Sequence, residues 1–232
     1  MNSFVDIRHP ERIYETEPLP AWTYLNAELL ELEYERVILP SWQFVCHQNQ
    51  VKNPGDFATL DLWRDSIIVM RGKDNVLRGF QNACRHRGHE LLPCGGTGSR
   101  RAIVCPYHAW SYDLSGKLKG APEFQDVEGF DKSAMALNEL PVHEWHGWIF
   151  VAPSGVATDF TAHIGNAEQI VAPYRAEQLR MVDTHEYVIE ANWKLIVENY
   201  QTMAALGLKD TILAIGLPYM ASAFGIFLLR QT

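Results

Sequence analysis

Residues 26–39, NAELLELEYERVIL, read as a helix: Asn26 stands where a cap would sit, acidic residues fill the first turn, and Pro40 stops the run. Beyond Pro40 the period shortens. WQFVCH (42–47), FATLDLW (57–63), SIIVMRG (66–72) and VLRGFQNA (76–83) are short runs rich in β-branched and aromatic residues. Turn signals at Asn53-Pro54-Gly55 and from Gly72 to Asn75 separate them. AIVC (102–105) and GWIFVAP (147–153) continue the pattern, which predicts a compact all-β domain over 42–153, interrupted by loops rich in Gly and Pro at 93–99 and 116–122. THEYVIEA (184–191) predicts a further strand. NWKLIVENY (192–200) predicts a helix capped by Asn192, with Trp193, Ile196, Val197 and Tyr200 on one face. From Thr211 to Leu229 the chain carries no charge, between Lys209-Asp210 and Arg230, near the length at which a membrane span becomes a candidate.

Composition narrows the classes. With 47% hydrophobic and 21% charged residues, the 232-residue chain is globular and long enough for a sizeable core. A formal charge of -8 argues against a partner held through a nucleic-acid backbone. The first twenty residues lack an apolar run behind a basic start, so no secretory signal is expected. Cys46, Cys84, Cys94 and Cys105 are too few and too spread for a secreted disulfide framework, and the cytoplasm is the expected compartment.

Chemistry concentrates in CRHRGHE (84–90) and CPYHAW (105–110). Cys84-x-His86 is followed, after eighteen residues, by Cys105-x2-His108, so each loop supplies one thiolate and one imidazole. Two adjacent metals are served well by that set: both cysteines on one iron and both histidines on the other, the ligands of a Rieske [2Fe–2S] centre. A tetrahedral zinc site with two Cys and two His is the alternative, although structural zinc usually takes its Cys and His in like pairs. Chance proximity of four unbound residues is the other. Cys46 and Cys94 are expected as core and loop residues, His89 as a loop residue, and His143 and His146 as structural. Trp110 and Tyr112 are expected to roof the site and tune it.

The segment CRHRGHELLPCGGTGSRRAIVCPYHAWSYDLSGKLKGAP resembles the cluster-binding segment of the Rieske non-heme iron oxygenases, the large subunits of ring-hydroxylating and related oxygenases. SWQFVCHQNQVKNPGDF is similar to the opening strands of that domain, HGWIFV to its closing strand, and NWKLIVENY to the first helix of the catalytic domain. The resemblance covers about residues 20–200. It implies a mainly β fold: a leader with a helix (1–39), a Rieske domain (40–155) and the start of an α+β catalytic domain (156–201). It further implies that Cys84 and Cys105 bind a buried ferric iron, and His86 and His108 the redox-active iron nearer the surface. The function implied is that of a terminal oxygenase component, taking electrons from a ferredoxin or flavin-dependent reductase and acting on a small organic substrate. A homotrimer is implied for the family.

The family carries two triad histidines for a mononuclear iron just after its ENY, in the form E-x-Y-H-x4-H. This chain reads ENYQTMAALGLKD, with no histidine after His185, so the triad is expected to be absent and the chain catalytically incomplete alone. Residues 202–232 form an apolar tail of unrelated character, in which TILAIGLPYMASAFGIFLLRQ resembles a membrane-spanning segment of sugar-type ABC importer permeases, which implies a junction between unrelated coding sequences. The alternative reading is a stand-alone or membrane-tethered Rieske electron carrier, with 211–229 as its span.

Overall fold

The computed structural model describes residues 2–5, 13–16, 19–124, 127–180 and 189–198. The strand expected over 184–191 lies mostly, and the apolar run 211–229 wholly, outside the described residues. Among those described, no helix is long and apolar enough to cross a membrane. The chain divides into two compact units, one of residues 1–34 with 187–232 and one of residues 35–186.

In the first unit, strands β1 (Asn2–Val5) and β2 (Ile13–Thr16) pair antiparallel. Helix α1 (Trp22–Leu25) leads into α2 (Ala27–Glu33), where the Asn26 side chain accepts from Leu29 N at 2.7 Å, the cap expected from the sequence. The expected single helix is interrupted: α2 ends at Glu33 and Tyr34–Ile38 continue as a wider π-helical turn. Residues 193–198 are helical, and Asn192 caps them by accepting from Lys194 N at 3.1 Å. Glu33 joins this helix to α2, receiving Lys194 Nζ at 2.7 and 2.8 Å and Trp193 Nε1 at 2.9 Å. Tyr24 adds a second tie, its hydroxyl donating to Glu198 at 2.6 Å.

The second unit is built of antiparallel sheets. β4 (Asp56–Leu62), β5 (Asp65–Arg71) and β6 (Leu77–Gln81) form the centre of a five-stranded sheet in the order β11-β6-β5-β4-β7, where β7 is Thr97–Ser99 and β11 is Glu139–Leu140. A second sheet has the order β12 (Val142–Trp145), β13 (Trp148–Val151), β3 (Gln43–His47). Strand β5 explains why its sequence is a continuous apolar run. Ile67, Ile68, Val69 and Met70 are all buried, and alternate residues enter different cores. Ile68 and Met70 join Phe57, Phe80 and Trp110, whereas Val69 packs with Cys46, Val51, Ala58 and Ile149. Cys46 is thus the core residue expected, and burial pushes its thiol up to about 12.

The β12–β13 hairpin turns on His146 (φ 47°) and Gly147 (φ 79°), the left-handed pair that suits strand twist in a two-residue turn. His146 lies against Glu168 of α4 (Ala167–Val171), with Nε2 3.0 Å from Oε1, and Trp145 Nε1 donates to the same carboxylate. His143 stacks on Phe160 of α3 (Phe160–Ile164) at 4.0 Å. Both histidines are engaged by the fold.

Candidate metal centre

A small sheet presents the site. β8 (Ile103–Val104), β9 (Ser111–Tyr112) and β10 (Leu118–Gly120) pair in the order β10-β9-β8, so Cys105 to Trp110 form the loop between two paired strands. The other loop leaves β6, and a bridge between Ala83 and Glu90 closes it. The two loops share one backbone scheme. Cys84 N donates to His89 O at 2.8 Å and Gly88 N to Cys84 O at 2.8 Å. At the same offsets, Cys105 N donates to Trp110 O at 2.8 Å and Ala109 N to Cys105 O at 3.0 Å. Gly88 (φ 69°) and Ala109 (φ 56°) hold the matching left-handed position. Each loop therefore delivers a cysteine at its base and a histidine near its tip.

All four sequence-predicted residues converge. Cys84 and Cys105 are each 3% exposed, within one apolar core. His86 and His108 are only partly buried, and their ring centroids lie 4.8 Å apart. The thiols sit side by side as well: burial pushes the Cys84 thiol up, the Tyr112 hydroxyl opposes that shift, and the Cys105 thiol adds to it. His86 is held below its ordinary value by burial, then by His108 and Arg87, which favours the neutral ring a metal needs. The geometry presents a buried thiol pair and an outer imidazole pair. His108 Nδ1 is buried with no hydrogen-bond partner, as suits a nitrogen whose partner is a metal. These observations fit a binuclear group with unlike ends.

The surroundings refine the expected roof. Trp110 does cover the site, its indole stacked on His86 at 4.9 Å and 11°. Phe124 approaches both rings, at 5.5 Å from His86 and 5.3 Å from Trp110. Tyr107, 55% exposed, lies over His108 at 3.7 Å. Tyr112 is no roof: it is fully buried, and its hydroxyl accepts from Arg85 N at 3.1 Å and lies 3.3 Å from Cys84 Sγ.

Asn82 went unnoticed in the sequence. It is 2% exposed and anchors the first loop, accepting from Leu91 N at 3.1 Å and Leu92 N at 2.9 Å while donating to Leu92 O at 2.6 Å and Ser66 Oγ at 2.8 Å. A polar residue at a strand end, two before the first cysteine, is its only sequence signal. Cys94 hydrogen-bonds Ser66 at 2.7 Å, and burial pushes its thiol up to about 11. His89 is exposed and its ring bonds Glu90 O at 2.7 Å. The four cysteines form no disulfide.

Residues 41–131 match the family model of the Rieske [2Fe-2S] domain. The chain is 35% identical over 195 residues to the carnitine monooxygenase oxygenase subunit of Acinetobacter pittii, covering 79% of this chain and 51% of that protein. It is 31% identical over 196 residues to the alpha subunit of 2-aminobenzenesulfonate 2,3-dioxygenase from Alcaligenes sp, covering 83% and 50%. Among solved structures, a quaternary ammonium Rieske monooxygenase in complex with gamma-butyrobetaine superposes with a TM-score of 0.75 at 34% identity, over 82% of this chain and 55% of that one. The chain spans about half the length of the curated relatives it matches. Residues 41–131 are a Rieske [2Fe–2S] domain, and the chain is a homologue of the large, or alpha, subunits of Rieske oxygenases over about half of their length.

Proposed function

We propose that Cys84 and Cys105 hold one iron of the cluster and His86 and His108 the other, and that the chain relays single electrons as part of a terminal oxygenase component. The observation that carries this reading is the sorting of the four donors into a buried thiol pair and an outer imidazole pair. When bound, such a cluster supplies one-electron transfer at a potential above that of an all-thiolate cluster. The chain's own residues prepare that chemistry. The apolar core around both thiols excludes water, the Tyr112 hydroxyl donates toward Cys84 Sγ, and the stacked ring of Trp110 and the tilted ring of Tyr107 pack on the two imidazoles. Exposed Pro106 and Tyr107 place the imidazole end at the surface, where a donor protein can reach it.

A ferredoxin or a flavin-dependent reductase is the proposed donor, a small organic molecule the proposed substrate of the whole oxygenase, and the cytoplasm the proposed compartment. The similarity to carnitine monooxygenase makes a quaternary ammonium compound the first substrate class to try. A homotrimer is the assembly the resemblance implies.

The test is iron and acid-labile sulfide per chain in anaerobically purified protein. About two of each, with a visible chromophore that Cys105→Ala abolishes, supports the reading. Zinc without sulfide, or colour that survives Cys105→Ala, refutes it.

A further inference from the structure

The indole nitrogen of Trp110 is unlike those of three other buried or partly buried tryptophans of this fold. Trp42 Nε1 donates to Thr158 O at 3.1 Å, Trp145 Nε1 to Glu168, and Trp193 Nε1 to Glu33 at 2.9 Å. Trp110 is 2% exposed and its Nε1 has no acceptor. An indole N–H can only donate, so burying it unpaired carries the full desolvation cost of the group with nothing to offset it. Its neighbours offer little relief: Phe124 and Phe130 stand at 5.3 and 5.7 Å, mostly edge-on, and His86 covers one face. The only other buried side-chain nitrogen or oxygen without a partner among the described residues is His108 Nδ1, two positions earlier in the same loop. Two orphaned nitrogens in one loop point to one missing partner. Trp110 also shares its core with Cys84 and Cys105.

We infer that Trp110 Nε1–H donates a hydrogen bond to a sulfur of the cluster, which makes Trp110 a positioning residue that raises the cluster's potential. The inference rests on the cluster assignment proposed above. Reduction adds negative charge to the sulfurs, so a donor aimed at one of them stabilises the reduced form more than the oxidised form. The stacking on His86 would hold the ring in place but would not by itself require the N–H.

The experiment uses the full chain carrying its cluster, in three forms: the natural protein, Trp110→Phe, and a protein with benzothienylalanine at 110. The last keeps the bicyclic ring and its stacking but has sulfur in place of N–H. At a potential where the natural protein is half reduced, both variants should show a roughly tenfold lower ratio of reduced to oxidised cluster, which is about 59 mV for one electron. The natural protein labelled with 15N in its indole rings should also show a nitrogen coupling to the reduced cluster by pulsed EPR, and Trp110→Phe should lose it. A benzothienyl variant with unchanged potential, or a labelled natural protein without the coupling, overturns the inference. If Trp110→Phe fails to load, the benzothienyl protein and the labelled natural protein still decide the matter. Natural protein without iron and sulfide would instead overturn the cluster assignment, a distinguishable outcome.

Discussion

Replacing Tyr112 with Phe removes one oxygen from a fully buried ring and leaves the ring's packing in place. That oxygen has two partners, Arg85 N at 3.1 Å and Cys84 Sγ at 3.3 Å. Because the amide can only donate, the hydroxyl accepts from Arg85 and is free to donate to the thiolate. The variant therefore loses two different things. The Arg85 amide loses its hydrogen bond to the hydroxyl, a loss that costs on the order of 1–3 kcal/mol. For a unit of about 150 residues that is a fall in melting temperature of roughly 2–12 °C. The sulfur loses a donor whose net worth is about 0.5–1.5 kcal/mol, and if most of it acts on the reduced state the potential falls by roughly 20–60 mV. Calorimetry and an EPR-monitored redox titration of the loaded protein read the two effects separately. A lower melting temperature with unchanged potential would mean that the hydroxyl serves the amide alone. A loaded variant unchanged in both would refute the hydrogen-bond assignment.

Three further outcomes are expected. Asp113 is partly buried, which raises its pKa, but Ser115, Lys119 and two backbone N–H groups outweigh this and bring it down to about 2. A depressed carboxylate stabilises above its unfolded value and loses that contribution as pH falls through its folded one. About 2 kcal/mol should thus disappear between roughly pH 4 and pH 2, and Asp113→Asn should flatten this part of the stability–pH curve, measured by urea unfolding. His146 is raised by Glu168 first, against some desolvation, and also by Glu177. Its contribution is therefore complete below its unfolded value near 6.5 and lost as pH climbs through the higher folded value. Hydrogen exchange in α4, corrected for intrinsic rate, should accelerate across that rise in the natural protein and not in His146→Gln. Asn82→Ala strands two buried amides and should cost on the order of 3 kcal/mol, seen as a lower urea midpoint; an unchanged midpoint would show that the first loop does not need this anchor.

Much of the candidate centre was legible because the residues proposed to hold it belong to short local patterns. Cys84 and His86 lie in one loop and Cys105 and His108 in another, and residue type alone states what each can bind. The strands of the large sheet's centre were equally readable, since β5 announces its burial by four consecutive apolar residues; the short strands β7 and β9 to β12 carry no such run. The early end of α2 at Glu33 was not readable, because Tyr34–Ile38 keep helical composition and only the backbone shows the widened turn.

What the sequence could not state is how side chains distant along the chain meet. Pattern determines which residues can be buried or can bind. It does not reveal that the two loops repeat one backbone scheme, so that thiol lies beside thiol and imidazole beside imidazole. Nor does it reveal that Tyr112 faces inward to Cys84, that Asn82 secures Leu91 and Leu92, or that His146 meets a carboxylate twenty-two residues away. The physical reason is range. Propensity and ligand chemistry act within a few residues, whereas the pairing of β8 with β9 and of Ala83 with Glu90 sets directions that exist only once the sheets have formed. The sequence determined which donors are available and most of the central strands beside them, and the tertiary structure decided which donor stands next to which.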